Sequence, residues 1–153
     1  MSNSDQNLLK LAEIEVTYNP EVKPSERVKI TTSSDAEVVL RSIWSQPLEL
    51  KECFYTLYLN RANKILGYLL VSVGGISGTV VDVRNIFQTA LKVNSTSVIL
   101  AHCHPSGNPV ASESDLKITQ KLKDAGTFLD ILVLDHIILL PEGYTSLADE
   151  GLL

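Results

Sequence analysis

The sequence has few of the residues that mark secreted or membrane-spanning proteins. Its 153 residues include two cysteines, Cys53 and Cys103, which are too few for a disulfide framework and predict reduced, buried thiols. No apolar run reaches the roughly 18 to 20 residues of a membrane-spanning helix. The N-terminus also lacks a basic start followed by an apolar signal core. We therefore expect a cytoplasmic protein that has no membrane partner.

Basic residues are also scarce relative to acidic ones. Thirteen Lys and Arg stand against 18 Asp and Glu, which gives a net charge of -5. Tight binding to nucleic acid depends on cations that neutralise phosphates, so we expect no direct tight nucleic-acid binding. The 44% of hydrophobic residues argues against intrinsic disorder, and the length corresponds to one domain.

The hydrophobic pattern predicts an α/β architecture with a central mixed sheet flanked by helices. Residues 1–30 are interpreted as an N-terminal extension with two edge strands, in EIEV and RVKI, and residues 31–153 as the main domain. Three N-caps, each followed by an amphipathic stretch, predict helices that begin at Ser34, Asp82 and Ser112. Strands are predicted in the apolar runs ECFYTLYLN, ILGYLLVSV, SVILA and ILVLDHIILL and in residues 144–147, and a helix stop at Gly126.

Two of the three histidines, His102 and His104, follow the run SVILA as His-Cys-His-Pro. Residues i and i+2 of an extended segment project to the same side, so both imidazoles can bind one ion while Cys103 faces away. Asp115, in the first turn of the helix that follows, can supply a carboxylate. Two imidazoles and one carboxylate suit a catalytic zinc ion with one open position.

Each of these residues also has a purely structural interpretation. Ser112 and Asp115 have the spacing of a helix capping box, and two histidines at a strand end are commonly surface residues. His136, in an apolar run, is interpreted as a buried, hydrogen-bonded core residue, with a contact to a ligand as the alternative. The combination of His-x-His-Pro with a later Ser-x-x-Asp is much more specific than either part.

The segment AHCHPSGNPVASESDLKIT resembles the zinc motif of the JAMM/MPN+ metallohydrolases, and HPSG with LDHIIL resembles their RadC-like branch. The resemblance covers residues 63–153. It implies a single-domain α/β MPN fold (JAMM, cytidine-deaminase-like) and zinc held by His102, His104 and Asp115, with Ser112 beside the oxyanion. A nucleobase deaminase is excluded because His-x-Glu and Pro-Cys-x-x-Cys are absent.

The resemblance also implies a glutamate that acts as general base, and matching the pattern without gaps places Leu70 at its position. A leucine cannot accept a proton. The acids that could substitute are Asp82, Glu49, Glu52 and Glu113, each of which also has a structural interpretation as a cap or a surface charge.

Two functional hypotheses follow. The first is a zinc-dependent metallohydrolase of the peptidase or isopeptidase type, acting on a peptide or protein substrate. The alternative is a weakly active or inactive metal-bearing binding module that acts with a protein partner, in DNA repair or recombination. The cluster of Gly74, Gly75 and Gly78 lacks the spacing and lysine of a phosphate-binding loop, so no nucleotide is predicted.

Overall fold

The computed structural model describes residues 11–74 and 79–153. In these residues a five-stranded sheet is flanked by helices, as expected. The helices are α1 (Ser33–Ile43), α2 (Val83–Lys92) and α3 (Glu113–Phe128), and a short 3-10 turn covers Pro24–Glu26. The strands are β1 (Cys53–Leu59), β2 (Ile65–Val73), β3 (Ser97–Cys103), β4 (Leu132–Leu139) and β5 (Tyr144–Ser146).

The sheet is mixed, in the order β2-β1-β3-β4-β5. Only the β3–β4 pair is parallel among the strand pairs of the described residues, and α3 provides the crossover between these two strands. Because β3 lies between β1 and β4, its seven residues are all buried. The strand order therefore brings the end of β3 and the start of α3 to the same edge of the sheet.

Each face of the sheet packs against its own helices. On one face, Ala36 and Leu40 of α1 join a cluster with alternate residues of β1, β3 and β4. On the other face, Ile86 of α2 and Leu122 of α3 pack against Phe54 and other residues of the same strands. None of the helices within the described ranges combines the length and apolar character needed to cross a membrane.

The three predicted helix N-caps agree with the structure to within two residues. Asp82 caps α2, and its carboxylate accepts a hydrogen bond from the Arg84 amide. Thr32, rather than Ser34, caps α1 through a capping box with Asp35. Gly75 and Gly78 of the glycine cluster lie outside the described residues.

The two edge strands predicted in the N-terminal extension are not formed. Residues 13–16 have no regular secondary structure and are exposed, and Lys29 makes a single bridge with Lys64. The Tyr18 hydroxyl donates a hydrogen bond to the Leu66 carbonyl at 2.7 Å. In RVKI the pairing is limited to this one bridge, with hydrogen bonds from the Ile30 amide to the Asn63 carbonyl and from the Ile65 amide to the Val28 carbonyl, both at 2.9 Å. Alternation alone therefore does not produce a strand, since a strand needs a neighbour that its backbone groups pair with along its length.

The predicted helix stop at Gly126 is also wrong, because α3 continues to Phe128. A Cβ atom at Gly126 would lie 2.3 Å from the Ile131 carbonyl oxygen. This glycine therefore permits a close approach between the helix and the start of the next segment. The following strand begins at Leu132, one residue after the start of the predicted run ILVLDHIILL.

Candidate metal centre

The end of β3 positions both histidines. His102 is the last residue but one of this strand, is buried, and is paired with Phe54 of β1 and Ile138 of β4. His104 follows the strand, and its backbone amide donates to the Leu139 carbonyl at 3.1 Å. The two imidazoles meet with their Nε2 atoms 3.0 Å apart. The predicted convergence of i and i+2 side chains is thus present in the geometry.

The first turn of α3 brings Asp115 to the same place. Its carboxylate accepts a hydrogen bond from the Ser112 amide at 2.8 Å, while the Ser112 hydroxyl accepts one from the Asp115 amide at 3.1 Å. The structural interpretation of Ser112 and Asp115 as a capping box is therefore confirmed. The same carboxylate also lies 3.2 Å from His102 Nε2 and 3.1 Å from His104 Nε2. One aspartate thus contacts the helix cap and both imidazoles.

The separations of these donor atoms fit a small divalent cation. The Nε2 atoms of His102 and His104 and the Asp115 oxygens are separated by 3.0 to 3.2 Å. For zinc bonds of about 2.0 to 2.1 Å, the ligand atoms of a tetrahedron lie about 3.3 Å apart. Among the described residues, these three form the group of His, Cys, Asp and Glu side chains that could hold a metal ion.

The hydrogen bonds of the other ring nitrogens indicate where the protons lie. His104 Nδ1 is 2.8 Å from the Asn108 carbonyl, which can only accept, so this nitrogen carries the proton. His102 Nδ1 lies 2.7 Å from Nε2 of the buried His136. In the neutral imidazole of His104, Nε2 therefore carries no proton, and its lone pair is available to a metal ion. Lone pairs of nitrogen and carboxylate oxygen then face one another across the site, and a shared cation or proton is needed to hold these groups together.

Electrostatics in the metal-free site agree with this arrangement. Burial alone raises the pKa of Asp115, but the close contacts with the imidazoles of His102 and His104 outweigh burial and hold the pKa well below its usual range. The hydrogen bond with Asp115 raises the pKa of His104 above its ordinary value. Asp115 is therefore an anion near neutral pH, and its negative charge favours the protonated form of His104.

A cavity of about 370 Å³ opens beside the three side chains. Its polar wall includes Glu52 and Ser112 in addition to the candidate ligands, and its apolar wall is made of Phe54, Val81 and Ile118. This volume is in the range of small ligand sites. The cavity can therefore admit a short segment of a substrate.

Among the described residues that line this cavity, Glu52 is the acid other than Asp115. It immediately precedes β1, and its backbone carbonyl accepts a hydrogen bond from the Gly74 amide at 2.8 Å. Burial raises the pKa of its carboxyl group, and the charges of His102 and His104 lower it by smaller amounts. A partly buried carboxyl group of raised pKa beside a metal site has the properties of a general base.

Leu70 does not line this cavity. It is paired with Tyr55 on β1, whereas its neighbours Leu69 and Val71 pack with Phe54 on the face that carries His102. Because side chains alternate along a strand, Leu70 faces the opposite side of the sheet. A glutamate at that position would point away from the site, so its absence there removes no acid from the cavity.

The other acids named from the sequence have structural partners or lie elsewhere. Asp82 caps α2, and Glu113 pairs with Lys117 on the exposed side of α3 at 3.0 Å. Glu49 lines a separate surface depression with Pro141 and Glu142. Glu52 was one of four acids that the sequence offered as a general base. The sequence alone could not identify it, because the pairing of β1 with β3 brings it close to the histidines.

His136 is fully buried on β4, as its structural interpretation predicts, and both ring nitrogens have partners. Nε2 meets His102, and Nδ1 lies 2.6 Å from the Thr119 hydroxyl. Cys103 packs on the opposite face of the sheet, in the α1 cluster. This agrees with the strand alternation that predicted its orientation.

Comparisons with known proteins agree with the geometry. Residues 30–152 match a family model described as "RadC-like JAB domain". A UPF0758 protein of Flavobacterium johnsoniae is 44% identical over 124 residues, which cover 81% of this chain and 53% of the relative. A UPF0758 protein of Salinibacter ruber is 40% identical over 128 residues, which cover 84% of this chain and 54% of the relative.

An archaeal relative, a UPF0758 protein of Methanosarcina mazei, is 46% identical over 101 residues, or 66% of this chain and 44% of the relative. The chain spans about half the length of the curated relatives it matches, and the name UPF0758 states no activity. The match to the family model covers both the sheet and the His-His-Asp cluster. The chain therefore belongs to the RadC-like JAB domain family.

Proposed function

We propose that this protein is a zinc-dependent hydrolase that cleaves a peptide or isopeptide bond. The observation that carries the proposal is the convergence of three donor groups, from His102, His104 and Asp115, within 3.0 to 3.2 Å of one another at a cavity that also contains Glu52. Membership of a JAB domain family supports the assignment to hydrolases.

The donor set fits zinc better than the other common divalent cations. Imidazole and carboxylate ligands suit zinc, whereas magnesium and calcium prefer sites made of oxygen ligands. Three protein ligands leave one position of a tetrahedron open, as in catalytic zinc sites. When bound, zinc supplies a Lewis acid that polarises a carbonyl group and lowers the pKa of water.

Glu52 acts as the general base in this proposal. Its carboxylate borders the same cavity as the ligands, so it can take a proton from a water molecule there and pass it to the leaving amine. The raised pKa of its carboxyl group, caused by burial, brings it closer to the working pH than that of an exposed glutamate. Transfer of the proton from water to Glu52, and from Glu52 to the leaving amine, then costs less free energy.

Ser112 stabilises the oxyanion. Its oxygen accepts a hydrogen bond from the Asp115 amide, which leaves the hydroxyl proton for another acceptor. The residue also lines the cavity. The hydroxyl can therefore donate to the carbonyl oxygen of a substrate as negative charge develops on that oxygen. The apolar wall of Phe54, Val81 and Ile118 provides a surface for a substrate side chain.

The alternative, a metal-bearing binding module that acts with a protein partner in DNA repair or recombination, depended on the absence of a general base. Glu52 removes that argument, because a suitable acid borders the cavity. The alternative predicts that zinc is bound without hydrolysis. The following experiment distinguishes the two functions.

The test compares the wild-type protein with Glu52→Gln, using Leu70→Glu as the control. Zinc content is measured by elemental analysis, and hydrolysis is measured with a library of quenched fluorescent peptides and isopeptide-linked peptides. We expect roughly one zinc ion per chain in all three proteins and about 10² to 10⁴ less hydrolysis in Glu52→Gln. Leu70→Glu should hydrolyse substrates at the wild-type rate.

Three results would contradict the proposal. If the zinc-loaded wild-type protein cleaves no substrate in the library, the binding module is favoured. If Glu52→Gln retains wild-type activity, or if Leu70→Glu raises activity, Glu52 is not the base.

A further inference from the structure

Behind the candidate ligand His102, a chain of hydrogen bonds extends away from the cavity into the protein. His102 Nδ1 lies 2.7 Å from His136 Nε2, and His136 Nδ1 lies 2.6 Å from the Thr119 hydroxyl. Thr119 in turn lies 2.6 Å from the Asp115 backbone carbonyl. The chain connects β3, β4 and α3, and it ends on the residue whose side chain is itself a candidate ligand.

The Asp115 carbonyl sets the direction of this chain. A carbonyl oxygen can only accept a hydrogen bond, and Thr119 has a single hydroxyl proton. That proton therefore lies between Thr119 and the Asp115 carbonyl, because otherwise two oxygens would face each other at 2.6 Å without a hydrogen. The Thr119 oxygen is then the acceptor toward His136.

The direction continues through His136. Its Nδ1 must carry the proton that Thr119 accepts, and a neutral imidazole has one protonated nitrogen. His136 Nε2 is consequently an acceptor, so the proton of the next contact belongs to His102 Nδ1. His102 Nε2 is then unprotonated, and it is this atom that lies 3.2 Å from the Asp115 carboxylate and 3.0 Å from His104 Nε2.

We propose that His136 and Thr119 are positioning residues that keep the proton of His102 on Nδ1 and its Nε2 free to bind the metal. The metal part of this inference rests on the proposed function, while the proton arrangement is a property of the metal-free protein. The usual hydrogen-bond partner of a ligating histidine is a carboxylate, a backbone carbonyl or water. Here a second imidazole has that role, and it is oriented by a hydroxyl on the helix that carries Asp115.

Packing keeps the rings in place. The ring of Phe54 is stacked on His102 with an interplanar angle of 4° and meets His136 edge-on, with centroids 5.5 Å apart. Thr119 and His136 are buried, so water does not compete for their hydrogen bonds. His104 has a separate partner, the Asn108 carbonyl. The two imidazoles of the site are therefore oriented independently.

The experiment compares Thr119→Val, which removes the hydroxyl at nearly constant volume, with Thr119→Ser, which keeps it. The protonated nitrogen of each imidazole is identified by long-range ¹H–¹⁵N NMR on the metal-free proteins, and zinc affinity is measured by competition with a chelating dye. In wild type and Thr119→Ser we expect the proton of His102 on Nδ1. In Thr119→Val we expect a shift of that proton toward Nε2 and a loss of zinc affinity of about 10- to 100-fold.

A second pair of variants tests the imidazole itself. The amide of His136→Gln can accept from His102 and donate to Thr119, whereas His136→Leu can do neither. We expect the Gln variant to keep more zinc affinity and more of the wild-type proton position than the Leu variant. This order would be absent if His136 only filled space.

The results also separate this inference from the proposed function. A His102 proton on Nε2 in the metal-free wild type, or wild-type zinc affinity and proton position in Thr119→Val and His136→Leu, would overturn the inference even if hydrolysis is observed. Conversely, the NMR result can support the proton arrangement in a protein that proves to hydrolyse nothing.

Discussion

The two faces of the sheet have different chemistry although the same strands form both. On the α1 face, alternate residues such as Leu57, Ile99 and Ile137 form an apolar cluster. On the α3 face, His136 lies next to Ile137 along β4 and His102 lies near the end of β3, and the two imidazoles are joined by a hydrogen bond. At Ile137, a shift of one residue along the strand thus changes an apolar contact into a polar one.

The difference between the two faces shows that one sheet can place the residues that stabilise the fold on one face and the polar residues of the candidate site on the other. The apolar cluster removes surface from water and contributes mainly to the free energy of unfolding. The polar side chains at the end of β3 and on β4 are tolerated inside the protein because each ring nitrogen has a partner. Substitutions on the α1 face should therefore affect unfolding first, and those at the polar end should affect metal binding first.

The largest effect is expected at the metal centre. His104→Ala removes one of three donor groups, so zinc binding should be lost, whereas Cys103→Ala alters the adjacent residue on the opposite face and should keep about one zinc ion per chain. Zinc content after gel filtration measures both. Retention of zinc by His104→Ala would exclude this histidine as a ligand.

A smaller effect is expected on the apolar face. Leu57 is fully buried, so Leu57→Ala should lower the free energy of unfolding by about 2 to 5 kcal/mol while zinc stoichiometry is unchanged. Val38→Ala, on the exposed side of α1, should change it by less than about 0.5 kcal/mol. Urea denaturation measures both values. Loss of zinc from folded Leu57→Ala would show that the two faces are not separable.

The smallest effect concerns pH in the metal-free protein. The contact with Asp115 raises the pKa of His104, so its stabilisation is complete below the unfolded value of about 6.5 and is lost as pH rises through the folded value. Burial lowers the pKa of His136, so this residue destabilises the fold as pH falls below about 6.5.

Together these two histidines predict that stability of the metal-free protein is greatest near pH 6.5 and declines on both sides. Thermal unfolding between pH 5 and 8.5 with a chelator present measures this profile, and His104→Gln should flatten its alkaline side. Zinc should remove the alkaline decline, because it replaces the proton between His104 and Asp115. An unchanged alkaline decline in His104→Gln would contradict the assignment.

Local sequence signals predicted much of the fold and the three donor residues. Asp82 and Ser112 cap helices as expected, because a cap depends on residues within one turn. The spacing of His102 and His104 predicted their convergence, because β3 is extended up to Cys103. These features need no information about the rest of the chain.

The features that the sequence could not predict depend on distant contacts. Glu52 reaches the cavity through the pairing of Phe54 with His102, which joins segments almost 50 residues apart. The segment EIEV alternates, but none of the strands in the described part of the chain pairs with it. Gly126 has the residue type of a helix stop, yet its role follows from the nearby Ile131 carbonyl. The direction of the hydrogen-bond chain through His136 likewise requires three separate elements.

The Asp115 carboxylate contacts both the helix cap and the two imidazoles. The first turn of α3 should therefore respond when a metal ion binds at the site. An ion that draws electron density from this carboxylate weakens its hold on the Ser112 amide, so that amide should respond to loading although it is not a ligand. Occupancy and the order of the first helical turn are thereby thermodynamically linked. A single backbone resonance could follow both in solution.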